Sequence, residues 1–191
     1  MESRSKKTLL FGGSFNPIHL GHLYTMTRAS KYTDYEKVVI MPANISAFKL
    51  GNVMVSPRIR LHMIDLALKE YPLDLEVVVS ELELNRKGVS YTYDTVLELY
   101  KEMNIKGKLG ILIGSDIVPE LYKWHRIDEL RELVDFVVLS RNNEVPESDQ
   151  YTYITEGGSA DVSSTEIRNG DLRLLTDGVR DFILQKELYR N

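Results

Sequence analysis

The stretch that decides the fold is TLLFGGSFNPIHLGH, residues 8–22. It begins with the short apolar run Leu9–Phe11, which is typical of a strand buried on both faces. The run stops at Gly12-Gly13, and two glycines let a backbone turn tightly and approach a ligand closely. Residues 19–30 read as a helix, whose first N–H groups and dipole would face that turn. The stretch therefore predicts a strand, a turn and a helix that together form a site for an anion.

Further apolar runs without polar alternation indicate more strands, at Val38–Met41, Leu75–Val79, Leu109–Ile113 and Phe136–Leu139, with a shorter one at Tyr151–Ile154. Helical spacing lies between them, in a helix that begins at Ser56-Pro57 and in the segments Tyr91–Met103 and Val179–Leu188. This alternation favours an α/β fold with a doubly wound, Rossmann-like open parallel sheet. We expect a single domain over residues 1–191, with a flexible tail at 1–7 and a small C-terminal helical portion. Ligands of such sheets bind at the carboxyl ends of the strands.

The composition excludes several classes of function. The 191 residues include 24 Lys+Arg and 28 Asp+Glu, a net charge of −4, so no basic excess is present for coating DNA or RNA. The chain has no cysteine, which excludes disulfides, zinc–thiolate sites, iron–sulfur clusters and thiol nucleophiles. No stretch approaches the roughly 18 apolar residues of a membrane helix. We expect a cytoplasmic protein that binds neither nucleic acid nor membranes.

Two histidines stand at the start of the first predicted helix. His19 and His22 are three residues apart and so share a helix face, and Gly21 between them lets a phosphate approach the backbone. A metal pair would need a third ligand that the local sequence does not offer. Two incidental histidines are the other alternative, which their place directly after a glycine turn makes less favourable. The turn matches neither a P-loop nor a dinucleotide fingerprint.

A second candidate phosphate site lies near the C-terminus, in the stretch SSTEIR at residues 163–168. Ser163 and Glu166 have the spacing of a capping box that opens a helix. The hydroxyls of Ser164 and Thr165 and the guanidinium of Arg168 would surround the capped helix end. Taken alone, the stretch favours an ordinary capped helix with a solvated arginine.

The two stretches together carry a family resemblance. GGSFNPIHLGH resembles the signature of the nucleotidyltransferase superfamily with His-x-Gly-His motifs, and SSTEIR is similar to its Ser-Ser/Ala-Thr-x-Ile-Arg motif. Within that superfamily the chain resembles the bacterial nicotinate-nucleotide adenylyltransferases over residues 8–189. The resemblance implies transfer of AMP from ATP to nicotinate mononucleotide, which gives deamido-NAD and pyrophosphate. Mg²⁺ would arrive with ATP and have no dedicated protein site.

The resemblance also implies roles for individual residues around ATP. His22, His19 and Arg168 would be catalytic, with the histidines on the α-phosphate and the arginine on the leaving pyrophosphate. The ATP-binding set implied by the two motifs is Gly12, Gly13, Ser14, Phe15, His19, His22, Ser163, Ser164, Thr165 and Arg168.

Nicotinate mononucleotide would be held by residues from the middle of the chain. The resemblance implies the set Lys49, Ser90, Tyr91, Thr92, Gly114, Asp116 and Trp124. Lys49 would bind the phosphate, although Phe48 stands where the family usually has histidine. Three of these residues have a structural alternative: a solvated loop lysine for Lys49, a helix cap for Ser90 and a half-buried packing residue for Trp124.

Other basic residues are assigned lesser roles. His62 and His125 are expected at the surface or between packed helices, and Arg58 and Arg60 are expected to tie a helix to a loop. Arg141 is a weaker candidate for a nucleotide contact.

Two further functions stay open at this stage. One is an adenylyltransferase of the same superfamily that acts on nicotinamide mononucleotide or phosphopantetheine, and the other is a nucleotide sensor without catalysis. The sequence also leaves open whether the chain forms a homo-oligomer.

Overall fold

The computed structural model describes residues 6–44, 54–140, 150–156 and 164–189. Six strands form one parallel sheet: β1 Thr8–Gly13, β2 Lys37–Pro42, β3 Glu76–Val79, β4 Leu109–Gly114, β5 Val134–Leu139 and β6 Tyr151–Ile154. The strand order is β3-β2-β1-β4-β5-β6. The chain therefore moves outward from β1 to β3 and then returns to the other side of β1 as β4. This reversal creates a crevice at the carboxyl ends of β1 and β4, where doubly wound sheets bind ligands.

Seven α-helices connect and flank the strands in the described residues: α1 Leu20–Tyr32, α2 Pro57–Glu70, α3 Leu82–Asn85, α4 Thr92–Glu102, α5 Ile127–Leu133, α6 Ser164–Arg168 and α7 Asp177–Gln185. Two 3₁₀ helices, Ser115–Lys123 and Leu172–Leu174, complete the fold. None of these helices is long and apolar enough to cross a membrane.

The sheet has an apolar core on each face, and the side chains of β1 divide between them. Leu9 and Phe11 pack with residues of α1, α2 and α7, whereas Leu10 packs with residues of α4 and α5. Successive residues of a strand point to opposite faces, so an uninterrupted apolar run is what a sheet covered on both sides requires. The predicted α/β fold with an open parallel sheet is confirmed.

The predicted boundaries differ from the observed ones in a few places. The strand expected at Leu75–Val79 begins at Glu76 and is only half-buried, with Val79 36% exposed, because it is the last strand on its side of the sheet. Pairing with β5 confirms the strand at Tyr151–Ile154. Of the predicted tail, residues 1–5 lie outside the described residues, and the carbonyl of Lys7 accepts hydrogen bonds from Glu36 N and Lys37 N.

The last helix, α7, packs against α2. The carboxylate of Glu70 accepts a hydrogen bond from Gly178 N at 2.8 Å, which satisfies an N–H group in the first turn of α7. The ring of His62 lies 4.6 Å from that of Phe182. The expected C-terminal helical portion is thus present, and His62 has the helix-packing role predicted for it.

Arg60 joins α2 to the two loops that follow β1 and β2. Its side chain is 1% exposed, and Nη1 donates to Ser14 O and to Ala43 O, both at 2.7 Å. The expected tie between helix and loop is therefore confirmed for this residue.

Replacing Arg60 with methionine should destabilise the fold, because two carbonyl groups inside the protein lose their donor. We expect the free energy of unfolding to fall by about 2–4 kcal/mol, which urea denaturation would measure. Arg58→Met is the matched control, because Arg58 is exposed on the same helix, and it should change the value by less than about 0.5 kcal/mol. Equal effects of the two substitutions would contradict the assigned role of Arg60.

Candidate active site

The glycine turn after β1 is shaped by the residues that follow it. A Cβ atom on Gly13 would lie 3.1 Å from the ring of Phe15, whereas one on Gly12 would meet no atom within 4 Å. Phe15 itself is fully buried and has φ +45. Its ring packs under the turn, so a contact of Phe15 with nucleotide could come only from its backbone. The expected ATP contact of Phe15 stays a prediction, while Gly12 leaves room for a ligand.

The two histidines meet at the N-terminus of α1. Their ring centroids are 3.7 Å apart, and His22 packs on Phe15 with centroids 4.9 Å apart. His19 is 6% exposed and is the N-cap residue of α1, and its N–H donates to His22 Nδ1 at 3.2 Å. Because Nδ1 accepts this hydrogen bond, the neutral ring of His22 carries its proton on Nε2. His22 thus has a defined tautomer with an N–H donor at Nε2.

Helix α6 arrives at the same turn from the far end of the sequence. Arg168 Nη1 donates to Asn16 O at 2.9 Å, and Ser164 Oγ donates to Pro17 O at 3.3 Å. Arg168 Nη2 also donates to Thr165 Oγ1 at 3.0 Å. The structure therefore brings the hydroxyls and the guanidinium of α6 next to the residues that connect the glycine turn to the histidines.

A cavity of about 650 Å³ opens beside the glycine turn, at the point where the strand order reverses. Residues predicted for nucleotide binding that line it are Gly12, Gly13, Ser14, Ser90, Tyr91, Thr92, Gly114 and Trp124. The histidines and the described residues of α6 are not among the residues that line this cavity. The candidate site therefore has two parts, the cavity and the group formed by the histidines and α6, which are connected by residues 14–19 after β1.

The N-terminus of α4 forms one wall of the cavity. The N-cap residue is Tyr91 rather than Ser90, so the structural alternative of a helix cap does not apply to Ser90. The hydroxyl of Ser90 is buried and has no hydrogen-bond partner among the described residues. The first N–H groups of a helix also lack partners within that helix. This wall thus presents a hydroxyl and backbone donors to a polar ligand.

Trp124 and Asp116 lie on the segment that follows β4. Trp124 is half-buried, with its ring centroid 6.1 Å from that of Phe136, and it also lines the cavity, so it combines a packing contact with an accessible position. Asp116 lies in the first turn of the 3₁₀ helix and is exposed. It follows Gly114 at the end of the strand, but it does not line the cavity.

Several lining residues were not predicted from the sequence: Glu83, Ile117, Glu120, Lys123 and His125. His125 was expected at the surface or between helices, but its ring lies 4.6 Å from that of Tyr91. It is exposed and yet lines the cavity. Its position directly after Trp124 was the available signal, because neighbours of a site residue on an irregular segment can face the same space.

Glu83 belongs to a hydrogen-bonded chain behind the wall of α4. Its Oε1 accepts from Thr95 Oγ1 at 2.7 Å, and Arg86 donates to Thr95 Oγ1 at 3.0 Å and to Glu98 Oε2 at 2.6 Å. Burial raises the pKa of the Glu83 carboxyl, while the hydrogen bond from Thr95 and the charge of Arg86 oppose that rise. The chain of contacts fixes α3 against α4 and holds the N-terminus of α4 in place.

Four of the predicted residues cannot be placed. Lys49 and Phe48, Arg141 and Ser163 lie outside the described residues, so the predictions for them stay predictions. In the described part of the chain, no three His, Asp or Glu side chains cluster in a way that could hold a metal ion.

Comparisons with known proteins agree with this geometry. The cytidylyltransferase-like family matches residues 10–170, and the chain belongs to this family of nucleotidyltransferases. A Lactococcus lactis protein named "Probable nicotinate-nucleotide adenylyltransferase" is 36% identical over 97% of this chain and 96% of its own length. An Enterococcus faecalis protein of the same name is 37% identical over 97% of this chain and 86% of its own length. Within the family, the chain is thus a member of the nicotinate-nucleotide adenylyltransferases.

Solved structures show the same fold at lower sequence identity. A Plasmodium falciparum nicotinic acid mononucleotide adenylyltransferase complexed with NaAD superposes with a TM-score of 0.79. It is 17% identical, and the match covers 96% of this chain and 97% of the other. A structure described as a putative Vibrio parahaemolyticus nicotinate-nucleotide adenylyltransferase has a TM-score of 0.70 at 22% identity.

Proposed function

We propose that this chain joins the AMP moiety of ATP to nicotinate mononucleotide and releases deamido-NAD and pyrophosphate. The observation that carries the proposal is the meeting of α6 with the glycine turn: Arg168 contacts Asn16 O three residues before His19. Two groups of phosphate ligands from opposite ends of the chain thereby lie next to each other. The cavity for an acceptor is lined by Gly12, Gly13 and Ser14 of the same turn.

The proposed reaction is a displacement at the α-phosphorus of ATP. A phosphate oxygen of nicotinate mononucleotide attacks, the bond between the α-phosphorus and its bridging oxygen to the β-phosphorus breaks, and pyrophosphate leaves with that electron pair. Such transfers need positioning and charge stabilisation more than covalent help from the protein. His22 Nε2–H would donate to an α-phosphate oxygen, with His19 beside it, and Arg168, Ser164 and Thr165 would bind the leaving group.

Mg²⁺ is proposed to be held by the phosphate oxygens of ATP, where it would neutralise charge on the triphosphate. The remaining properties follow the sequence-based expectations. We propose a cytoplasmic enzyme whose partners are ATP and nicotinate mononucleotide, not DNA, RNA or a membrane.

The N-terminus of α4 supports the acid rather than the amide as acceptor. Backbone N–H groups at Tyr91 and Thr92 are donors only, and a carboxylate accepts from them with both oxygens. A carboxamide would turn its own NH₂ group toward one of these donors and leave it unsatisfied. The buried hydroxyl of Ser90 adds one more group that can donate.

Pyrophosphate release by the purified chain tests the proposal. With ATP and Mg²⁺, nicotinate mononucleotide should give turnover, and its kcat/KM should exceed that of nicotinamide mononucleotide by at least about 100-fold, because the amide leaves polar groups unpaired. Phosphopantetheine should give no product. Equal use of acid and amide would contradict the assignment of the α4 donors. Absence of turnover with every acceptor would favour the nucleotide sensor and overturn the proposal.

A further inference from the structure

Asn16 lies where several distant parts of the chain meet. It is 3% exposed, in the turn between β1 and α1. Its side-chain Oδ1 accepts from Val55 N at 3.2 Å and from the hydroxyl of Tyr189 at 2.9 Å, while its backbone oxygen accepts from Arg168 Nη1 at 2.9 Å. These partners are 39, 173 and 152 residues away in sequence. Three distant segments therefore contact the turn at Asn16, in addition to the bonds of Arg60 to Ser14 O and of Ser164 to Pro17 O.

Tyr189 reaches this residue from the end of the chain. It follows α7 and adopts φ +61, a conformation that a bulky residue rarely takes unless its surroundings hold it there. Its ring packs against the core cluster on the α1 side of the sheet. Burial raises the pKa of the Tyr189 phenol, so the hydroxyl stays protonated at neutral pH. It can therefore act as the hydrogen-bond donor to Asn16 Oδ1.

The two arginines that hold the turn also act on Tyr189. The charges of Arg168 and Arg60 both lower the pKa of the Tyr189 phenol, although burial raises it by more. Arg60 donates to Ser14 O, and Arg168 donates to Asn16 O. The phenol is thus part of the same set of contacts that fixes the backbone between the glycine turn and the histidines.

We propose that Tyr189 is a positioning residue for adenylyl transfer, which acts through Asn16 on the turn that carries Ser14 and on the placement of Arg168. The inference rests on the proposed function, because that function assigns the turn and Arg168 to the binding of ATP. It gives the C-terminal segment, which follows the residues 10–170 matched by the family, a defined part in the site.

The test replaces Tyr189 with phenylalanine, which removes only the hydroxyl. Tyr100→Phe is the matched control, because Tyr100 donates to Leu133 O and accepts from Leu109 N, both at 2.7 Å, next to the start of β4. That position is at the amino edge of the sheet, opposite the site. The control therefore loses at least as many hydrogen bonds as Tyr189→Phe, but none that reaches the turn.

We expect Tyr189→Phe to lower kcat about tenfold and to raise the Kd of a non-hydrolysable ATP analogue by about the same factor, as one misplaced contact can. The KM for nicotinate mononucleotide should stay within about twofold, because the cavity wall at α4 is untouched. Tyr100→Phe should lower the Tm at least as much and leave kcat and the Kd within about twofold. In an Asn16→Ala background, Tyr189→Phe should have no further effect on the Kd.

Two results would overturn the positioning role. One is a Kd and kcat of Tyr189→Phe within twofold of the unmodified chain. The other is a loss of activity in both tyrosine variants that follows their loss of Tm. Failure of the proposed function can be distinguished from failure of the positioning role, because it shows as absence of turnover in the unmodified chain. In that case the Kd of the ATP analogue in the two tyrosine variants still decides the role of Tyr189.

Discussion

Replacing His22 with alanine is expected to lower kcat by about 10²–10³-fold, the usual cost of removing one donor to charge that develops in a transition state. The donor is Nε2–H, because Nδ1 accepts the hydrogen bond from His19 N. The attack on the α-phosphorus places extra charge on its oxygens, and backbone donors of the turn cannot move to take the place of the imidazole. The effect should therefore fall on kcat more than on the KM for either substrate.

The His22→Ala protein should remain folded. It loses one hydrogen bond at a helix N-terminus and the contact with Phe15, and loss of such a cap costs about 1 kcal/mol. Circular dichroism and the Tm would verify this. The matched control is His62→Ala, since His62 is an exposed residue of α2 that packs on Phe182. Near-normal turnover in His22→Ala would remove the catalytic role assigned to this residue.

Arg168→Ala should lower kcat/KM for ATP by about 10²-fold, because the leaving pyrophosphate loses the charged donor that α6 supplies. Arg168→Lys should recover only a small part of this loss. The guanidinium contacts Asn16 O and Thr165 Oγ1 with two different nitrogens, and a single ammonium group cannot keep both contacts and also bind the pyrophosphate.

The control for Arg168 is Arg173→Ala. Arg173 lies on the short 3₁₀ helix after α6, and its guanidinium pairs with Asp171 at the surface. Its removal should leave kcat/KM within about twofold. Full activity in Arg168→Lys would show that only a positive charge is needed at this position. Equal losses in Arg168→Ala and Arg173→Ala would indicate a general effect of positive charge.

The sequence was sufficient for the features that depend on local pattern. The strands were predictable because a sheet covered on both faces needs apolar runs such as those of β1 and β5. The glycine turn and the paired histidines were predictable because their spacing is unusual and lies directly after a strand. The proximity of residues 164–168 to residues 14–17 was expected only through the resemblance, since no local pattern contains a contact over about 150 residues.

Other features depend on tertiary structure and could not be predicted. Helix α5 has seven residues, too few to show a helical period. The half-buried state of β3 follows from its place at the edge of the sheet, which an apolar run does not reveal. Glu83 lies in the short helix α3 and His125 follows the 3₁₀ helix Ser115–Lys123, and their place at the cavity depends on how these short helices pack. Tyr189 reaches Asn16 only because α7 packs on α2, a contact between segments more than 100 residues apart.

The central claim is that one triphosphate lies across the turn between the paired imidazoles and α6. A crystal structure with a non-hydrolysable ATP analogue and Mg²⁺ measures this directly. The account predicts an α-phosphate oxygen within hydrogen-bond distance of His22 Nε2, and terminal phosphates on the Arg168 guanidinium and the hydroxyls of Ser164 and Thr165. Phosphates bound away from the turn, or contacts with only one of the two groups, would contradict it.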